Sequence, residues 1–150
     1  WKIYRNEQYG FEVRYPPSFD VIEPSSPDPL RDPEAIIIHN YTIFTQKGDD
    51  RGRPISNFLL RIIPNQRETP EEFAKIAGKD IEILSLGGNS FQKVGPVIYY
   101  LKEPGKNSYV KFHFRGQTAF PEIKEHAGFL DYDQQKEIFA KILSTFKFIE

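Results

Sequence analysis

An aromatic, alternating stretch at the start of the chain constrains the fold more than anything after it. Phe11, Val13 and Tyr15 share one side of an extended run and Glu12 and Arg14 the other, the period-two pattern of a strand with one face on a core. Residues 2–5 make a partner run, and Asn6, Glu7, Gln8, Tyr9 and Gly10 supply a glycine-containing turn between the two. Pro16 and Pro17 end the second run, because proline has no backbone donor for a ladder. An isolated hairpin is marginal in water, so this one must dock on further strands or a helix.

The 150 residues suit one domain, 1–150, with a single core. That core has to be aromatic: the chain holds 13 Phe and 8 Tyr but no Met and no Cys. Without cysteine there is no disulfide, no thiolate nucleophile and no Cys-type zinc site. Twenty Lys and Arg balance 21 Asp and Glu to a net charge of -1, so no bulk field gathers nucleic acid or an anionic membrane, and neither is expected as a partner. No apolar run approaches the ~20 residues that span a bilayer. A chain that opens on Trp1 instead of Met is expected to have had something upstream, such as a signal, a lipid anchor, a transmembrane helix, a tag or another domain.

Residues 20–35 carry Pro24, Pro27, Pro29 and Pro33 among Ser and Asp, which predicts a polar surface loop. From 35 to 44 the chain is β-branched and aromatic, a central strand; the charged stretch 46–54 then turns it into a second strand, 57–63, stopped by Pro64 and Asn65. Thr69, Pro70 and Glu72 predict a capped helix from about Pro70, with Phe73, Ile76 and Ala77 facing inward and Gly78 as its stop. Strands at 81–86 and 91–94 flank the Gly87-Gly88-Asn89 turn, and 97–102 with 108–115 make a hairpin around Glu103, Pro104, Gly105, Lys106 and Asn107. Asp131 or Asp133 caps a second helix, whose stripe is Ile138, Phe139, Ile142, Leu143 and Phe146 and which ends near Phe146.

The opening Trp1-Lys2-Ile3-Tyr4-Arg5-Asn6 and Tyr9-Gly10-Phe11-Glu12-Val13-Arg14-Tyr15-Pro16, read with the closing Ile142-Leu143-Ser144-Thr145-Phe146-Lys147-Phe148, resembles PsbP-like domains of bacterial lipoproteins and membrane-anchored proteins. The order of elements matches over nearly the whole chain. The resemblance implies an α+β fold, an antiparallel β-sheet flanked by helices in an α/β/α sandwich of PsbP/Mog type. It also implies a non-catalytic accessory module that binds another protein, located outside the cytoplasm and held to a membrane by a segment upstream of Trp1.

No residue pattern points to catalysis, a cofactor or a metal. His39, His113 and His126 lack metal-ligand spacing, and His126 with Glu122 and Glu125 is at most a loose divalent site. Asp49 and Asp50 lie beside Arg51 and Arg53, which oppose a cation, and Ser85, Ser90 and Ser108 have no nucleophile-elbow context. Lys111, His113 and Arg115 alternate with Val110, Phe112 and Phe114, so strand geometry collects three basic side chains on one face. That stripe, with Tyr99 or Tyr109 nearby to add stacking, suits an anionic polymer or an acidic partner surface, although charges on a strand more often serve to discourage edge pairing. Pro24, Pro27, Pro29 and Leu30 offer an extended segment to a partner groove. The expected function is therefore a protein-interaction module. The alternative is a small-ligand or metal-binding domain, with a cleft between sheet and helix lined by His113, Tyr99 and Tyr100.

Overall fold

The computed structural model describes residues 1–23, 41–48, 50–51, 55, 58–116 and 128–149. Lys2–Asn6 (β1) and Phe11–Tyr15 (β2) form the expected antiparallel hairpin, and Lys147–Phe148 (β10) adds to the other side of β2, giving a three-stranded sheet. Phe19–Ile22 (β3), Thr42–Gln46 (β4), Leu59–Gln66 (β5), Ile81–Leu86 (β6), Asn89–Val94 (β7), Ile98–Lys102 (β8) and Tyr109–Arg115 (β9) form a second sheet of seven strands, in the order β3-β4-β5-β9-β8-β7-β6. All pairings are antiparallel. Among the described residues two helices complete the fold, Pro70–Ala77 (α1) and Tyr132–Ser144 (α2). With these elements the chain is an α+β protein.

Neighbouring residues of β8 show which helix covers which face. Tyr99 meets Phe139 of α2 edge-on, with ring centroids 5.0 Å apart, while Tyr100 meets Phe73 of α1 at 6.1 Å. Successive strand residues point to opposite faces, so α1 and α2 lie on opposite sides of the large sheet. The small sheet shares the α2 side: Tyr4 and Tyr15 pack on Phe44 of β4, and Phe11 stacks on Phe146. The aromatic core expected from composition is this layer, built from Phe11, Phe44, Phe58, Phe91, Phe112, Phe114, Phe139 and Phe146.

Four local expectations change. Residues 20–22 belong to β3 instead of a loop, because Phe19 turns inward and meets Phe58 at 4.7 Å while Phe19 to Ile22 pair with Gln46 to Ile43; residues 24–35 lie outside the described residues, as do 35–40 of the expected central strand. Strand β5 continues past Pro64 and Asn65. A register shift between Ile63 and Gln66 absorbs both, with Asn65 at φ 59° in the left-handed region that Asn tolerates, so the missing proline donor falls in a bulge. Helix α1 starts at Pro70 on its Thr69 cap as expected, but Pro70 and Ala74 are the buried residues and Ile76 is 81% exposed. Docking of Phe73 against Tyr100 sets that rotation. Helix α2 ends at Ser144, capped by Thr145, and Phe146 reaches the core from beyond the helix. At its other end Asp131, not Asp133, is the cap, in a reciprocal box with Gln134.

Glu12 ties the small sheet together on its outer face. Lys147 of β10 lies 3.1 Å and Arg5 of β1 3.5 Å from its carboxylate, and these cations, Lys147 foremost, hold the carboxyl below its ordinary range. The β6–β7 turn abuts α2: Gly87 has φ +59°, and a Cβ there would overlap the Ser144 backbone. Gly105 also has a left-handed backbone, φ +69°, but stands in open space. Gly105→Ala should therefore cost about 1–2 kcal/mol from backbone strain alone, and Gly87→Ala distinctly more, in urea denaturation. Phe146→Ala should lose about 3–5 kcal/mol, whereas Ile76→Ala should stay within about 0.5 kcal/mol.

Candidate functional site

The face of the large sheet shared with α1 carries the expected basic stripe. Lys111, His113 and Arg115 alternate along β9, and the strand register brings in Arg61 of β5, directly opposite His113. On the other flank Tyr100 of β8 pairs with Lys111 and Ile98 with His113. Strand β9 lies in the middle of the seven-stranded sheet, between β5 and β8. The edge-guarding use of such charges therefore does not apply here, since β9 has no free edge.

Lys111 belongs to the docking of α1. Its ammonium sits 4.7 Å from the Phe73 ring centroid and 5.8 Å from that of Tyr100, and 3.9 Å from the Glu68 carboxylate. The Tyr100 hydroxyl donates to the same carboxylate at 3.0 Å. Burial, and then this carboxylate, push the Tyr100 hydroxyl far above its ordinary pKa, so it remains a donor.

Arg61, His113 and Arg115 are differently placed. The Arg61 guanidinium lies over the Tyr41 ring at 5.3 Å, and its buried Nε has no hydrogen-bond acceptor among the described residues. His113 is half-buried. Burial pushes the imidazole below its ordinary pKa, and Arg61, Lys111 and Arg115 push in the same direction. Arg115 is exposed at the end of β9. Among the described residues no carboxylate forms an ion pair with Arg61, His113 or Arg115. Two guanidiniums, beside an imidazole whose protonation they disfavour, form a concentration of positive charge on neighbouring strands that an anion would relieve.

The other expected sites fare differently. Tyr99 and Tyr100 face opposite sides of the sheet, so His113, Tyr99 and Tyr100 do not line one cleft. A cavity of about 140 Å³ does lie between α2 and the sheet, lined by Tyr99 with Leu84, Leu86, Phe114, Phe139 and Leu143. Its apolar walls and small size fit a packing gap better than a site for a small molecule, for which several hundred Å³ is usual. Pro24, Pro27, Pro29 and Leu30 lie outside the described residues, as do His39, Asp49, His126, Glu122 and Glu125. Among the described residues no three His, Cys, Asp or Glu side chains gather as a metal site.

Sequence reasoning missed two groups. Arg61 stands alone among Leu59, Leu60, Ile62 and Ile63, and only the pairing of β5 with β9 joins it to the stripe. Glu103 is almost fully buried at the β8–β9 turn, where its carboxylate accepts from the Ser108 hydroxyl and its backbone N–H donates to the Ser108 carbonyl at 3.0 Å. The turn is thereby locked from inside, and its neighbours Asn65, Arg67, Lys106, Asn107 and Ser108 border an open groove of about 630 Å³.

No family model matches the chain, and no curated protein matches it. Among solved structures it is similar to the solution structure of cyanobacterial PsbP (CyanoP) from Synechocystis sp. PCC 6803, with a TM-score of 0.51 and 14% identity over 98% of this chain and 91% of that one. The fold is PsbP-like. At that identity the similarity speaks for the PsbP-like fold, while this chain's role has to be argued from its own surface. No helix among the described residues is long and apolar enough to cross a membrane.

His113 gives a pH test of the site. The folded imidazole resists a proton that the unfolded chain accepts below about its ordinary value of 6.5, so the unfolded state binds more protons there. Stability should fall as pH drops from that value toward the folded pKa, and should be independent of His113 above it. Arg61→Gln should move the His113 titration upward in NMR; an unmoved curve would mean that the two side chains do not sense each other.

Proposed function

We propose that this PsbP-like protein is a non-catalytic accessory module that binds another protein outside the cytoplasm, its chain held at a membrane by a segment upstream of Trp1. The observation that carries the binding role is the Arg61, His113 and Arg115 cluster on central strands, charge that neither edge protection nor α1 docking accounts for. The PsbP-like fold supports the same reading, because a rigid sheet with helices on opposite faces presents a surface without needing a cleft. The α/β/α layering of PsbP/Mog type belongs to this reading as well. The polar stretch that follows β3 and the charged stretch that follows β4, both expected from the sequence to be loops, are the auxiliary contacts of this reading, since loops on a rigid frame are free to vary.

The full-length protein, tagged and recovered from native membranes, should elute with a stoichiometric protein partner in light-scattering chromatography. The complex should weaken as salt rises, because its charges sit near the surface and are screened within about 10 Å at 0.1 M. Elution alone at low salt, with a small molecule retained in native mass spectrometry, would replace the interaction role by ligand binding.

A further inference from the structure

We infer that the β5–β9 face receives the carboxylates of an extended acidic segment of a partner protein, with Arg61, His113 and Arg115 as the groups that hold it. The inference rests on the interaction-module reading and names the chemistry of its partner.

Spacing favours an extended segment over a single small anion. His113 and Arg115 are alternate residues of one strand, so their side chains stand about 7 Å apart, the distance between same-side residues of an extended peptide. Arg61 stands across the ladder from His113, one strand spacing of about 4.8 Å away, and can share a carboxylate with it. The donors thus fall at two stations about 7 Å apart along β9, Arg61 with His113 at one and Arg115 at the other, instead of converging on a point, as a lone phosphate would require. Acidic residues at alternate positions would meet Arg61 with His113 first, and Arg115 second.

Arg61 is prepared for this role. The Tyr41 ring supports the guanidinium at 5.3 Å, and the Nε is buried without a hydrogen-bond partner among the described residues. A planar, supported guanidinium matches a carboxylate with two parallel hydrogen bonds and loses little freedom on binding. Single-stranded nucleic acid fits less well, because binding it depends on free aromatic faces. Here Tyr41 carries Arg61, while Phe73 and Tyr100 carry Lys111.

His113 makes the site responsive to protons. The groups facing it are Arg61 from β5, Lys111 and Arg115 from its own strand, and apolar Ile98 from β8. In the free protein partial burial and then these cations disfavour the imidazolium. An arriving carboxylate reverses that balance and favours the imidazolium, so binding takes up a proton and tightens as pH falls across the histidine range.

The test uses the whole chain and a synthetic peptide of alternating Glu and Thr at low salt. The peptide should shift the His113 imidazole resonances and raise its pKa. Affinity should fall about tenfold in Arg61→Gln and again in Arg115→Gln, as expected for a lost charged hydrogen bond, and should rise between about pH 8 and pH 6. Arg115 is exposed, so its variant reads binding even if Arg61→Gln folds poorly; Lys141→Gln on α2 should bind like the parent. An unshifted His113, an affinity in both arginine variants equal to that of the parent protein, or tighter binding of inorganic phosphate or oligothymidylate to the same residues would overturn the inference. Capture separates it from the broader reading. A native partner lost by the Arg61→Gln, Arg115→Gln double variant supports the assignment; a partner kept by that variant refutes the face but leaves the module; no partner for the parent protein refutes the module.

Discussion

The two sheets of this protein and the end of α2 meet on one ring, that of Phe146. Phe146 stacks on Phe11 of the small sheet at 5.3 Å and meets Phe112, in the middle of the large one, at 5.1 Å, with Phe148 closing a third side at 5.2 Å. Because Phe146 follows the cap of α2 directly, its seat also fixes where that helix ends and where β10 begins. Asn89 of the β6–β7 turn donates to the Phe146 carbonyl at 2.7 Å, and Thr145 accepts from the Arg14 backbone at 2.9 Å. The closing helix, the opening hairpin and the distal turn therefore all depend on the same few residues. A core without methionine has no flexible filler, so such joints rest on ring shape and leave little room for substitution.

The opposite face is organised by charge. Four basic residues lie on β5 and β9, and the structure divides them: Lys111 is taken up by Glu68, Phe73 and Tyr100 to seat α1, and the other three are left without an acidic partner among the described residues. Surface ion pairs contribute little to stability, so the seat of α1 depends more on Phe73, Ala74 and Tyr100 than on the Lys111–Glu68 pair. Holding Arg61 and His113 close together and half-buried has a cost that α1 does not offset, the kind of cost that clusters at functional sites.

What the sequence made legible was local. The first hairpin, the Thr69 cap with Pro70 and the β8–β9 turn are written in adjacent residues, and each formed, while the second helix offered Asp131 or Asp133 as its cap and took Asp131. The PsbP-like arrangement was legible in the opening and closing segments together. What stayed hidden depends on register between distant strands. Nothing near Arg61 announces that it faces His113, some fifty residues away, and Lys111 reads as one of three equivalent cations until Phe73 is placed beside it. Ile76 and Pro64 misled for the same reason: helical spacing does not say which residues of a short helix meet the sheet, and a proline ends a strand unless a bulge absorbs it.

The small sheet has a mechanical consequence. Lys2 pairs with Tyr15 at one end of β2, and Phe148 pairs with Phe11 at the other, on the opposite flank. Tension applied between Lys2 and Phe148 would drag β1 and β10 lengthwise past β2 in opposite directions. Load would then fall on several ladder bonds and on the Glu12 ion pairs at once, instead of opening them one after another. A tethered protein pulled in this way would yield abruptly, and the ring of Phe146 lies directly beneath the surface that must slide.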